Sequence, residues 1–392
     1  MKTTLSLRRT NDLREDRLFK RRVLYFVNDA SFFLSHRLPI ACAAQAAGME
    51  VHVATPRDHA VERIQSEGFH YHAVPISRWH ANPFREIASV LAIRQVLREV
   101  QPDILHNVTI KPVLYGSLAA RSYRKLKVVN AISGLGTVFV GSSRLSTVRR
   151  SIVKWLYRRL LRRGNVHTIF QNPDDLRAFL VDGIVERDQT VIIRGSGVDL
   201  QRFAATPVPD GIPVVVLAAR MLRDKGVEEF VRAAYRVQGR GISAKFVLVG
   251  DSERGNPAAI PEARLEDWRR AGIVEWWGQR RDMPNVFAQA HVVCLPSYRE
   301  GLPKVLIEAA ACGRPVVATD VPGCREVVRH GVNGLLVPVR DEEALASAIA
   351  ELLQDRARAE AMGKRGRQIA EVEFDVKAVV HQTLELYERV LQ

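Results

Sequence analysis

The chain has 392 residues, more than one hydrophobic core commonly serves, so two domains are expected. A hydrophobic content of 47% with 26% charged residues describes a globular protein, and no apolar run reaches the roughly 18 to 20 residues of a membrane span. The formal charge of +15 sits in one half: residues 1–200 hold 31 Lys+Arg against 17 Asp+Glu, a net of +14, while residues 201–392 hold 27 against 26, a net of +1, so any anionic partner or surface belongs to the first half.

Residues 1–21 read as a basic extension with no apolar core of signal-peptide length. Arg22 to Asp29 is a near-continuous apolar run, the mark of a strand buried on both faces. A loop carrying Ser31, Phe32, Phe33, Ser35, His36 and Arg37 follows, then a helix over about Leu38 to Ala47, capped by Gly48, and a second strand in MEVHVATP. This βαβ unit predicts a parallel right-handed crossover, and its first loop lacks the G-x-G-x-x-G of a dinucleotide fingerprint. The loop's place at the carboxyl edge of the first strand makes His36 and Arg37 candidates to line a ligand crevice.

The alternation continues through the strand FHYHAVPI and the helix IASVLAIRQVLREV, with Leu91, Val96 and Leu97 read as inward-facing. Next come the strand PDILHNV with His106, the helix KPVLYGSLAARSY opening at Lys111, and KVVNAIS running into a loop at Ser133 to Gly136. VHTIFQN and TVIIRGSGVDLQRF close the first half, and the proline-rich Thr206 to Pro213 is expected to be the interdomain linker. Two strand–helix series in succession predict an α/β chain of two Rossmann-like, doubly wound domains, 22–205 and 206–375. The four cysteines show no metal-type spacing and read as small buried hydrophobes in a reducing cytosol.

The stretch Tyr298-Arg299-Glu300-Gly301-Leu302-Pro303-Lys304 to Glu308 organises the second half. It joins the strand HVVCLPS to an alanine-rich helix through a Gly-Leu-Pro turn, so the first free N–H groups of that helix form an anion site. Glu300 before the turn and Glu308 within the helix can accept hydrogen bonds from vicinal hydroxyls, the chemistry of sugars or ribose. Arg220 and Lys225, at a strand–loop–helix junction of the same kind, suit a diphosphate.

The E-x7-E stretch, with Arg220, Lys225 and Gly226, resembles the nucleotide-sugar site of retaining glycosyltransferases of family 4, and the likeness runs from about residue 22 to the end. It implies the GT-B fold, two Rossmann-like domains facing one another, with the helix over 376–392 packing back on the first. It also implies that Glu300, Arg220 and Lys225 are catalytic and that Gly301, Leu302, Pro303, Lys304, Glu308 and Gly197 bind the donor. FLSHRLPIA, NVTIKPVLYG and NAISGLG are similar to the bacterial branch that builds capsule, O-antigen or lipid-linked glycan repeat units. That likeness implies transfer from a UDP-type sugar to an undecaprenyl-diphosphate-linked acceptor, held by His36, Arg37, His106, Lys111 and Gly134.

The chain departs from the family where Val108 stands in place of a second histidine after His106. Thr109, Lys111, the 133–136 loop or His36 take over that work, or the donor's own phosphate oxygen serves as base. His106 reads equally as a strand histidine satisfied by a neighbour. No D-x-D occurs, in keeping with metal-independent members whose Arg and Lys neutralise the leaving diphosphate, and no cofactor is expected. The alternative enzyme class is a sugar-nucleotide epimerase of the same fold.

Arg144 to Arg163 contains seven Arg, one Lys and no acid. On a helical wheel Ile152, Val153, Leu156 and Leu160 oppose Arg150, Lys154, Arg158 and Arg162, with Trp155 at a border. That pattern predicts a helix lying on anionic lipid, and so a cytoplasmic protein peripheral on the inner face of the membrane. The competing reading is a helix packed on the domain core with a solvated basic face. Nucleic acid is not expected as a partner, because the basic residues gather on one amphipathic helix and no RNA or DNA module is present.

Overall fold

The computed structural model describes residues 17–77, 82–134, 144–253 and 255–392, with the side chains of 144–150 excepted. The chain divides into two units, residues 1–196 with 379–392, and residues 197–378. The change of unit falls at Ser196–Gly197 and not within the expected linker at 206–213.

The first unit holds strands β1 (Arg22–Val27), β2 (Glu50–Thr55), β3 (His70–Ala73), β4 (Ile104–Val108), β5 (Lys127–Ile132), β6 (Val166–Phe170) and β7 (Thr190–Ile192). They form one parallel sheet in the order β3-β2-β1-β4-β5-β6-β7. Its helices are α1 (Ala30–His36), α2 (Leu38–Ala46), α3 (Val61–Ser66), α4 (Pro83–Val100), α5 (Ile110–Ala119), α6 (Arg144–Leu161) and α7 (Pro173–Val181). The second unit holds β8 (Val214–Ala218), β9 (Lys245–Val249), β10 (Glu275–Trp276), β11 (Val292–Leu295), β12 (Val316–Thr319) and β13 (Gly334–Val337), parallel in the order β10-β9-β8-β11-β12-β13. Helices α8 (Val227–Gly239), α9 (Glu262–Arg270), α10 (Met283–Gln289), α11 (Lys304–Ala311), α12 (Pro322–Val327), α13 (Glu342–Gln354) and α14 (Arg356–Glu373) cover it, and α15 (Val376–Val390) ends the chain.

Apolar residues run continuously along each central strand because both sheet faces are covered. Val23, Tyr25 and Val27 pack with α1, α2, α3 and α15, while Leu24 and Phe26 pack with α4 and α5. In the second unit Val215 and Leu217 pack with α8 and α13, and Val216 and Ala218 pack with α11 and α14. The stretch read as a loop after β1 is helical: Asp29 accepts from Phe32 N at 2.6 Å and caps α1. Leu91, read as inward, is 59% exposed on α4, whereas Val96 and Leu97 are buried as expected.

The segment at 206–213 is held down by Arg314, which is wholly buried. Its Nε donates to Phe287 O at 2.7 Å, and Nη2 reaches Thr206 Oγ1 at 2.6 Å, Pro207 O at 3.1 Å and Ala288 O at 3.2 Å. One cation thus caps the carboxyl end of α10 and ties residues 206 and 207 to the same unit. Arg314→Met leaves the Phe287 carbonyl buried without its donor, removes the three other bonds, and should cost about 3 kcal/mol. Urea unfolding checks this; an unchanged midpoint would remove Arg314 from the account of this boundary.

Candidate functional site

In each sheet the strand order reverses at one place, between β1 and β4 and between β8 and β11. There the connections depart in opposite directions and leave a crevice outside the carboxyl ends of the strands. In the second unit the two loops at that reversal are 219–226 and 296–303, the ones carrying Arg220, Lys225 and Glu300.

Glycine permits their close approach. Gly226 adopts φ +71°, and a Cβ there would lie 2.2 Å from Pro296 O. Tyr298 N then donates to Asp224 O at 2.9 Å. Two residues on, Lys225 Nζ meets Glu300 Oε1 at 2.6 Å, with the two side chains only 17% and 12% exposed. On the other side of the turn Gly323 opens α12, and a Cβ there would fall 2.6 Å from the carbonyls of both Glu300 and Gly301. Gly226 and Gly323 therefore fix the backbone around Glu300 from two sides.

Leu302 lies in the turn, and Pro303 is the N-cap of α11, so Lys304 is its first residue. Glu308, one turn in, lies 3.5 Å from Lys304 Nζ. Burial raises its carboxyl pKa, and Lys304 and then Arg202 pull it partly back. Arg220 does not join the Lys225–Glu300 pair, since its Nη1 is 2.7 Å from Glu253 Oε2. Gly197 has φ +67°, and a Cβ there would meet Val376 Cα at 2.6 Å, so packing against the start of α15 requires a glycine here.

Two residues that the motif reading passed over brace the site. Tyr298 Oη donates to Glu229 Oε1 at 2.8 Å, and the Arg340 guanidinium lies 4.5 Å over the Tyr298 ring. Glu229 is buried in the first turn of α8 and also accepts from Arg232 at 3.1 Å. The signal was a tyrosine two residues before Glu300 and a glutamate four after Lys225, but only the fold shows that they meet.

In the first unit the reversal sets the end of β1, which leads into α1, beside the end of β4, which leads into α5. His36 stacks on Phe32, with centroids 4.0 Å apart, and shares a hydrogen bond with Ser35 at 2.7 Å. Thr109, at the end of β4, holds φ +75°, a strained conformation for a β-branched residue and one that clusters at functional edges. Lys111 donates to Ser77 O at 2.8 Å and pairs with Glu86 at 2.7 Å. Gly134 has φ +124°, while Leu135 and Gly136 lie outside the described residues.

Two expected acceptor residues are corrected. Arg37 is 3% exposed and His106 1%, so neither presents a surface to an acceptor. His106 Nδ1 lies 2.5 Å from Tyr387 Oη, which reaches Tyr25 Oη at 3.0 Å. Burial and the nearby Arg37 hold His106 well below the ordinary histidine pKa, so it is neutral. The strand histidine is thus met by the last helix of the chain.

The basic helix packs on the unit by one side and keeps the other exposed. Tyr157, Leu160 and Leu161 of α6 are buried against Ile132, Phe170 and Phe179, whereas Ile152 and Trp155 are 54% and 56% exposed. Its basic face meets partners: Lys154 pairs with Asp182 at 2.7 Å, Arg162 with Glu186 at 2.6 Å, and Arg158 donates to the carbonyls of Asp182 and Gly183. The side chain of Arg150 lies outside the described residues. Among the described residues no helix is long and apolar enough to cross a membrane, and no group of three or more His, Cys, Asp or Glu is set to hold a metal.

Residues 22–163 match the family "Glycosyl transferase 4-like" and residues 212–355 match "Glycosyl transferases group 1". The chain is 27% identical over 381 residues to N,N'-diacetylbacillosaminyl-diphospho-undecaprenol alpha-1,3-N-acetylgalactosaminyltransferase of Campylobacter jejuni, covering 94% of this chain and 98% of the relative. It is 22% identical to the capsular polysaccharide biosynthesis glycosyltransferase CapM of Staphylococcus aureus, over 88% and 91% of the two chains. Its fold matches HepE of Anabaena, solved with UDP and glucose, at a TM-score of 0.75 with 20% identity, over 93% of this chain and 98% of that one.

Glu308 gives the site a pH signature. Its raised pKa means that the protonated form is the stabilising one, fully present below the unfolded value of about 4.3 and lost as pH rises through the folded value. Glu308→Gln should therefore gain stability relative to the wild type as pH rises from about 4 into the neutral range. Urea midpoints of both proteins across that range check this, and a difference independent of pH would contradict the burial argument.

Proposed function

This chain is a glycosyltransferase of the GT-B fold, its halves belonging to the glycosyl transferase 4-like and glycosyl transferases group 1 families, and from that premise we propose that it moves a sugar from a nucleotide sugar to an undecaprenyl-diphosphate-linked saccharide. The donor is a UDP-linked hexose or N-acetylhexosamine, and the product is part of a surface polysaccharide or glycan. Transfer retains the anomeric configuration and needs neither metal nor cofactor, on the cytoplasmic face of the membrane. The acceptor class is supported by end-to-end likeness to a relative whose name specifies a diphospho-undecaprenol-linked acceptor.

The observation that carries the reading is the Lys225–Glu300 contact at the reversal of strand order. A cation and a carboxylate held together there offer one group to a diphosphate and one to a sugar hydroxyl. Lys225 and Arg220 neutralise the charge that grows on the leaving diphosphate, a role in which preorganised cations lower the barrier directly. Glu308 accepts from the ribose hydroxyls in its ionised form, and the backbone of Gly301 to Lys304 lines the phosphates and sugar. A phosphate oxygen of the donor removes the proton from the acceptor hydroxyl on the face that the leaving group vacates. The Tyr298–Glu229 hydrogen bond keeps the two loops in register while Lys225 and Glu300 turn to the donor.

The purified protein, incubated with UDP- and GDP-sugars and an undecaprenyl-diphosphate-linked sugar in chelator, should extend the lipid from one donor. Interconversion of the free nucleotide sugar with no lipid product would favour the epimerase. In the same assay Lys225→Ala and Glu300→Gln should each lower kcat by roughly 100-fold or more. Tyr298→Phe keeps the ring and loses the hydroxyl, so kcat should fall about tenfold with UDP affinity preserved; a full rate would show that the brace does not matter.

A further inference from the structure

Helix α4 has two apolar faces where a helix on a domain surface needs one. Its inner face is buried through Ser89, Ile93, Val96, Leu97 and Val100. Its outer face carries Phe84, Ile87 and Leu91, at 84%, 58% and 59% exposed, a spacing of three and four residues that sets them in one row. Asn82 Oδ1 accepts from Phe84 N at 3.0 Å and Pro83 opens the first turn, so the row begins on a fixed backbone. Single exposed apolar side chains are ordinary, but three large ones aligned over two turns mark an interaction face.

The same outer face turns cationic one turn further on. Arg98 is exposed and Arg94 half-exposed beyond Leu91, and Arg85 flanks Phe84. The two acids of the helix are engaged, Glu86 with Lys111 at 2.7 Å and Glu99 with Gln95 at 2.9 Å. Beside this helix, α4 packs on α5 and α5 on α6, whose outer side carries Ile152 and Trp155 with the Arg159 guanidinium 6.0 Å over the indole. Apolar rows edged by arginine thus recur across neighbouring helices of the half with net charge +14.

We propose that the outer face of α4, with Phe84, Ile87 and Leu91 as its inserting row, docks this protein on an anionic lipid bilayer. The proposal rests on the reading of a lipid-linked acceptor and names the surface that meets the bilayer. Charge selects the occupant: a second copy would bring two halves of +14 together, whereas anionic headgroups complement the arginines at the edge of the row. The apolar row enters the acyl boundary and the arginines remain at headgroup level, the arrangement of an interfacial helix. Lys154 and Arg162 of α6 are paired with Asp182 and Glu186, so that stripe has less charge to offer to headgroups than the row on α4.

The test is co-sedimentation of the full chain with vesicles of phosphatidylglycerol and phosphatidylcholine, against phosphatidylcholine alone, without substrates. The wild type should bind the anionic vesicles, and Phe84→Ser with Leu91→Ser should lower partitioning about tenfold per side chain. Both positions are exposed, so the fold and the rate on a water-soluble short-chain acceptor should be kept. Lys154→Gln with Arg162→Gln should change binding less than twofold. Wild-type protein that ignores anionic vesicles, or serine variants that bind as tightly, would overturn the proposal. So would a wild-type dimer that the serine variants convert to a monomer while vesicle binding stays. Transfer to the soluble acceptor is scored separately, so a failed membrane face and a failed transferase reading give different results.

Discussion

Everything chemical in the second unit depends on where its strand order turns. Parallel strands need crossovers of one hand, so β8 and β11 can lie side by side only if their onward connections diverge. The space they leave fixes which two loops meet, and with them which side chains. Arg223 to Lys225 and Pro296 to Glu300 are far apart in the chain, yet one glycine at 226 and one backbone hydrogen bond from Tyr298 set them in contact. The fold supplies the meeting place, and the loops supply the cation and the carboxylate.

Buried polar groups hold the frame behind that site. Arg314 converts a proline-rich stretch, a natural candidate for a loose linker, into part of one unit by satisfying carbonyls on both α10 and residue 207. In the first unit the Tyr25–Tyr387–His106 network joins the last helix of the chain to the two strands at its own reversal point. In both places a polar side chain sits where an apolar one would fill the space, and it is hydrogen-bonded to residues from distant parts of the sequence. Such groups specify which segments associate, since any other pairing leaves them unsatisfied.

What could be read from the chain was whatever is local. The apolar runs gave the strands, and the Arg220–Lys225 and Glu300–Glu308 motifs lay within single strand–loop–helix segments. Two kinds of information were not local. Arg37 and His106 looked available because they sit near carboxyl edges of strands, but α15 returns from the far end of the chain and Tyr387 takes His106. The stripe on α6 looked unpaired because its own sequence has no acid, whereas Asp182 and Glu186 come from the connection beyond α7. Leu91 failed for a related reason: with apolar residues on both sides of α4, periodicity alone could not say which row faces the sheet.

The contact between Lys225 and Glu300 also bears on how tightly any nucleotide is held. On the proposed reading, a diphosphate that reaches Lys225 does not meet a bare ammonium; it has to displace a carboxylate already 2.6 Å away. Part of the attraction between cation and donor is therefore offset by breaking that pair, so affinity is set below what the charges alone would give. When the sugar has gone and only the spent nucleotide remains, the same carboxylate is free to reclaim its ammonium. An internal competitor of this kind weakens the grip on product most, and it favours emptying the site between cycles.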